Sequence, residues 1–303
     1  MSETQYLSLK TSTNCKDNLM TSMPLAGNLN ETHVRLAVTD EEIAAAQRLR
    51  FKIFYEECKA KPSEEVLKEK RDFDLYDTIA EHLIVVDPKR GDTADTQIIG
   101  TYRMITQSAA RQLGQFYTND EFDISPLIDT GAYMLELGRS CVMEEYRTRP
   151  VLQLLWQGIA HFVFSNKVGL TFGCASLHGT DIQKLKEELS YLHHFHLAVP
   201  ELRAKALPER YTNMNLMSAS DIDEKEAFHK LPPLIKGYLR IGAKIGDGAV
   251  IDHQFNTTDV CIVLPTSYVR QRYLRHYERT TQKTVSSKIL NLIPPLQENV
   301  QTA

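Results

Sequence analysis

Met134-Leu135-Glu136-Leu137-Gly138-Arg139-Ser140-Cys141-Val142 is an apolar run broken by one carboxylate, one glycine and one guanidinium. A strand this apolar belongs in the middle of a sheet, where a charge is costly to bury unless it is paired. Residues three apart on a regular strand face opposite sides, so Glu136 and Arg139 share a face only if the backbone between them is irregular. Gly138 suggests a bulge, which re-aims the chain and leaves a backbone N–H without a ladder partner. A free N–H there can hydrogen-bond a carbonyl and stabilise the oxyanion that forms on nucleophilic attack. Glu136 is then the candidate general base, acting directly or through a water. The competing reading is a structural Glu136–Arg139 ion pair. Arg103, in Thr101-Tyr102-Arg103-Met104, is a possible partner from the adjacent strand.

Outward from that run, strands and helices alternate. Periodicity predicts strands over 34–38, 82–87, 98–105, 170–176 and 260–264. A capping box at Thr39 and Glu42 opens a helix through about Cys58. Further helices are expected over 150–167, from Thr180 or Asp181 to His194, over 231–243 and over 266–277. The stretch 59–77 is charged and irregular. Such alternation argues for a layered α/β fold.

Composition narrows the classes. The chain has 303 residues, 42% hydrophobic and 24% charged, with a net charge of −4. That balance builds a sizeable core and offers no global field for nucleic acid. Five scattered cysteines without a CxxC pair suit reduced thiols, a cytoplasmic setting and no metal site. Nothing is long and apolar enough to span a bilayer. Residues 1–32 read as a flexible leader, 33–283 as one domain and 284–303 as a flexible tail. No GxSxG, Walker or GxGxxG pattern appears, which removes support from hydrolase, NTPase and dinucleotide readings.

Two other constellations carry candidate chemistry. Arg71-Asp72-Phe73-Asp74-Leu75-Tyr76-Asp77 gathers three carboxylates that can hold an ammonium or an arginine, or can simply be a solvated loop. The turn from Tyr146 to Pro150 feeds a helix whose N-terminus suits a phosphate, with Arg147 and Arg149 adding positive charge. His193, His194 and His196 lack a second cluster of ligands and read as surface or part-buried side chains.

In order and rough spacing, Arg50-Phe51 with Phe54, then Asp72, Asp74 and Tyr76-Asp77, Tyr102-Arg103, and Glu136-Leu137-Gly138-Arg139 resemble the acyl-homoserine-lactone synthases. The second half departs from them. The stretches 231–240, 246–252 (Gly-Asp-Gly-Ala-Val-Ile-Asp) and 255–263 (Phe-Asn-Thr-Thr-Asp-Val-Cys-Ile-Val) resemble the bacterial L-ornithine Nα-acyltransferases. The resemblance spans roughly residues 34 to 278. It implies a GNAT (acyl-CoA N-acyltransferase-like) fold with a mixed central sheet flanked by helices. It also implies transfer of a (3-hydroxy) fatty acyl group from acyl carrier protein to the α-amine of L-ornithine, giving lyso-ornithine lipid.

On that resemblance, the acyl-4′-phosphopantetheine thioester of acyl carrier protein is the donor, and no cofactor is permanently bound. GNAT enzymes that use coenzyme A carry a glycine-bearing loop before the pyrophosphate-binding helix. Here Arg147 is followed by Thr148-Arg149-Pro150-Val151-Leu152, without either glycine, which favours a carrier protein as donor. The carboxylate of ornithine needs a cation, for which Arg103 and Arg139 are candidates. Its side-chain ammonium needs an anion, for which Asp74, Asp77, Asp252 and Asp259 are candidates. Arg103 and Arg139 could instead only order the acidic loop. Arg270, Arg272, Arg275, Arg279 and Lys283, against a single Glu278, form a basic run. It would dock acyl carrier protein, touch an anionic membrane from the cytoplasmic side, or be a solvated helix face. The alternatives to ornithine are another small amine, as in the signal synthases and N-acyl amino acid synthases, and a non-catalytic acyl-carrier-binding module.

Overall fold

The structure is a computed structural model that describes residues 31–147 and 149–269, with only the backbone of Arg149. The expected leader up to residue 30, the tail, the basic run 270–283 and the side chain of Arg149 lie outside the described residues.

Along the chain, β1 (His33–Leu36) leads into α1 (Asp40–Phe51), then β2 (Glu81–Val86) and β3 (Ile98–Thr106). The two-residue β4 (Phe122–Asp123) precedes β5 (Met134–Val142), α2 (Arg149–Ser165), β6 (Leu170–His178) and α3 (Lys186–His196). The two-residue strands β7 (Lys205–Ala206) and β8 (Tyr211–Thr212), α4 (Pro233–Ile241), β9 (Lys244–Asp252) and β10 (Thr257–Pro265) follow. The described residues form two compact units, 31–115 with 138–161 and 116–137 with 162–269, so β5 contributes to both.

In the first unit β1, β2 and β3 are antiparallel, with Leu36 opposite Leu83 and Ile84 opposite Thr101. The chain leaving β5 joins β3 where Met143 N donates to Ile99 O at 2.8 Å. Thr39 caps α1 by accepting from Glu42 N at 3.2 Å, and the Glu42 carboxylate ties back to Val38 N and Arg35. The helix buries Ala45, Ala46 and Leu49 against Ile84, Val86 and Ile98. Each fully buried Leu or Ile side chain there contributes about 1.5–3 kcal/mol. α1 does not run straight to Cys58 but widens into a π-helical turn over Lys52–Glu57. In α2, a Cβ on Gly158 would stand 2.9 Å from a Val34 methyl and 3.0 Å from a Leu83 methyl, so a larger residue there would force those side chains to shift.

In the second unit β5 and β6 run parallel for three pairs, from Met134↔Leu170 to Glu136↔Phe172. β6 then pairs antiparallel with β10 along its whole length, and β10 with β9. Parallel and antiparallel ladders make this a mixed sheet, with α3 packed on β9, as an α/β fold with flanking helices requires. Gly173, at φ 153°, marks where the β5–β6 ladder stops: a Cβ there would lie 2.2 Å from Leu137 O.

Several expected boundaries move. Residues 59–77 contain a helix at Glu64–Glu69 and a 3₁₀ turn at Leu75–Thr78. Asp181 does not cap a helix; its side chain closes a turn on Gln183 N, and α3 begins only at Lys186. The stretch 231–243 holds α4, preceded by a separate helix at Glu224–Lys230. β9 was not foreseen. The expected helix over 266–277 is a 3₁₀ turn at Thr266–Tyr268, and from 270 on it lies outside the described residues. The irregularity expected at Gly138 sits one residue later, where Arg139 takes the left-handed φ of 50°.

Candidate active site

Two constellations emerge, one in each unit. In the first unit the acidic loop is occupied by arginines. Arg50 is fully buried; its Nε donates to Asp72 Oδ2 at 2.7 Å and its Nη2 to Asp77 Oδ1 at 2.6 Å. Arg103 Nη1 donates to Asp74 Oδ1 at 2.6 Å and to Asp77 Oδ2 at 2.9 Å. Arg139 Nη2 donates to Asp74 Oδ2 at 3.2 Å, and its Nε lies 3.3 Å from Asp72 Oδ2. Asp74 and Asp77 also form a reciprocal capping box on the Leu75–Thr78 turn. Three guanidiniums thus meet three carboxylates, and the charges balance.

That balance shows in the titration of the loop. Burial alone would push the Asp72 carboxyl up, but Arg139 and Arg50 outweigh it and hold it below its ordinary value. Burial likewise opposes ionisation of Asp77, and Arg50 and Arg103 overcome it, holding the carboxyl well below the carboxylate range. His82, buried beside Arg50 and 3.7 Å from Asp77, is pushed down to about 4, by burial first and Arg50 second. Asp74 and Asp77, expected as ammonium ligands, accept hydrogen bonds from arginines here. Arg103 and Arg139, expected either on a substrate carboxylate or as supports of this loop, contact its carboxylates here.

In the second unit Glu136 is 3% exposed and does not stand as a free base. Its Oε1 accepts from Thr118 N at 2.7 Å and from Thr118 Oγ1 at 2.5 Å, and its Oε2 accepts from Tyr117 N at 2.9 Å. Thr118 Oγ1 lies 3.7 Å from Cys174 Sγ on β6. Glu121, one turn on, joins Asp252 at the end of β9 and Asp259 on β10; carboxylate oxygens of the three lie within 4.8 Å of one another. Such a cluster can hold a divalent cation or an ammonium. Burial, then Asp259, raises the Glu121 carboxyl to about 7. Sequence reasoning found Asp252 and Asp259 but missed Glu121, which sits in the polar run Asn119-Asp120-Glu121 and carries no local sign of burial.

The other expected residues have settled places. Arg147 pairs with Glu57 and donates from Nε to Val142 O at 3.0 Å, while its head remains half-exposed. Around Gly138 nothing lies within 4 Å of where a Cβ would stand, so the backbone there is open to approach. His194 Nε2 hydrogen-bonds with Met217 O and His196 Nε2 with the Tyr191 hydroxyl, both at 2.9 Å. Among the described residues no helix is long and apolar enough to cross a membrane.

A family described as an acetyltransferase (GNAT) domain matches residues 49–157. The L-ornithine N(alpha)-acyltransferase of Rhizobium meliloti (strain 1021) is 44% identical over 253 residues, covering 83% of this chain and 86% of that protein. The one from Agrobacterium fabrum (strain C58) is 43% identical over 255 residues, covering 84% of this chain and 87% of that protein. Among solved structures, a CoA-dependent acyl-homoserine lactone synthase is 12% identical at a TM-score of 0.42, covering 84% of this chain and 92% of that one. At such identity, over more than four-fifths of both chains, this chain belongs to the L-ornithine Nα-acyltransferase family.

Proposed function

We propose that the chain transfers a (3-hydroxy) fatty acyl group from the phosphopantetheine thioester of acyl carrier protein to the α-amine of L-ornithine, releasing lyso-ornithine lipid. The observation that carries this reading is the 43–44% identity to relatives named L-ornithine N(alpha)-acyltransferase. The open backbone at Gly138 gives the thioester carbonyl a place to meet an N–H donor. Arg147, half-exposed, and the start of α2, to which Arg149 belongs, are suited to the donor's single phosphodiester. A glycine-poor turn serves that group better than the pyrophosphate of coenzyme A, which would need closer backbone approach.

In this reading Glu136 is a positioning residue. Its oxygens hold Tyr117 and Thr118, and this corner carries the chain on to Glu121. The Arg50–Arg103–Arg139 network is a rigid strut that fixes the acidic loop. The enzyme works in the cytoplasm and makes a peripheral contact with the anionic inner face of the membrane, which its acylated product enters. The test is expression in a bacterium that lacks ornithine lipids, with lipid extracts read by mass spectrometry. A new ornithine-containing acyl amide is expected. Soluble folded protein with ornithine present and no such lipid overturns the proposal.

A further inference from the structure

We infer that Glu121, Asp252 and Asp259 together form the seat for the side-chain ammonium of the acceptor amino acid. The inference rests on the proposed acylation of ornithine and deepens it by naming the specificity-determining residues.

The argument begins with geometry. An alkylammonium presents three N–H bonds, each about 2.8 Å from its acceptor in a charge-assisted bond; acceptors placed tetrahedrally around it stand about 4.6 Å apart. The oxygens of Glu121, Asp252 and Asp259 lie within 4.8 Å of one another, a spread that one such head spans. A small divalent cation spaces adjacent ligand oxygens about 3 Å apart and opposite ones about 4–5 Å, so a chelator test separates the two occupants.

The second observation is an unmet acceptor. Glu121 is only 4% exposed, and its Oε2 is buried with no hydrogen-bond partner among the described residues. Arg210 reaches the other oxygen, Oε1, at 3.3 Å from the half-exposed side. An unsatisfied buried carboxylate oxygen is costly and calls for a donor that arrives with the ligand. One of its oxygens lies within 4.8 Å of oxygens of Asp259 and Asp252, so the carboxylate faces those two acids. Asp252 is half-buried, which leaves the cluster reachable from solvent. Asp259 stands opposite Ser176 in the β6–β10 ladder and so shares a sheet face with it. By contrast Asp72, Asp74 and Asp77 are already matched by three arginines.

The experiment compares L-ornithine with norvaline, which has the same carbon chain without the side-chain ammonium, in the full-length enzyme with an acyl carrier protein thioester. The wild type is expected to prefer ornithine in kcat/KM. Asp259→Asn and Glu121→Gln should each reduce that preference about ten- to a hundredfold, leaving KM for the acyl donor unchanged. Should Asp259→Asn fail to fold, Asp252→Asn at the half-buried rim serves in its place. Folded variants that keep the full preference overturn the seat while acylation of ornithine stands. A wild type that acylates no ornithine overturns both. Activity lost to a chelator and restored by magnesium or calcium would make the cluster a metal site and overturn the seat as well.

Discussion

Thr118 holds Glu136 twice, donating to the same carboxylate oxygen from its backbone N–H at 2.7 Å and from its hydroxyl at 2.5 Å. With Tyr117 N donating to the other oxygen at 2.9 Å, the carboxylate ties the start of the Tyr117–Asp120 turn to β5. The central-strand carboxylate that sequence alone nominates as base is thus structurally engaged.

Glu136→Gln separates the two roles. Loss of a general base costs about 10²–10⁴ in rate. The positioning role predicts a smaller fall in kcat, survival of the low-pH limb of the kcat profile, and a clear loss of stability, because an amide NH₂ must face backbone donors. Thr118→Val removes the hydroxyl donor alone and should cost about 1.5–3 kcal/mol in urea unfolding. A Glu136→Gln enzyme of unchanged stability with kcat down a thousandfold would restore Glu136 as base.

Arg50 offers a test of the strut. It is fully buried, and its two carboxylate partners are 2% and 5% exposed at their side chains. Breaking a buried pair strands the remaining charge, at a cost of about 3–5 kcal/mol. Arg50→Met should therefore lower the unfolding free energy measured in urea by that amount, more than any single substitution at half-exposed Arg147. Equal losses at the two positions would show that the network contributes no more than a surface pair.

The sequence revealed what depends on local pattern. β5 was legible because its apolar run is continuous, and α1 because Thr39 and Glu42 announce its start. β9 was hidden because Gly246 and Gly248 interrupt the alternation that marks a strand, and its partners come from β10 and β8. The candidate site was half legible. Arg103 and Arg139 were named, and their service to the acidic loop was weighed, but their contacts with Asp72, Asp74 and Asp77 join residues far apart in the chain and carry no local sign. Glu121 was invisible because its burial comes from β6, β9 and β10, which are far away in the chain.

Glu121 and His82 pull the pH dependence of stability in opposite directions. The Glu121 carboxyl is raised from 4.5 to about 7 by burial and Asp259, with Asp252 adding and Cys174 and Arg210 opposing. The folded chain therefore keeps a proton that the unfolded chain has lost, and stability falls as pH rises across that window, by ~3 kcal/mol. His82 is lowered from 6.5 to about 4 by burial and Arg50, with Arg103 adding and Asp77 opposing. Here the unfolded chain takes up the proton first, and stability falls as pH drops across that window, again by ~3 kcal/mol. Between pH 4.5 and 6.5 the two slopes largely cancel in the wild type. Glu121→Gln removes one of them. Relative to wild type, the variant should gain stability steadily as pH rises from 4.5 to about 7. Thermal unfolding followed by calorimetry across that range measures it. A difference in Tm between variant and wild type that stays constant with pH would mean that Glu121 titrates as an ordinary carboxylate.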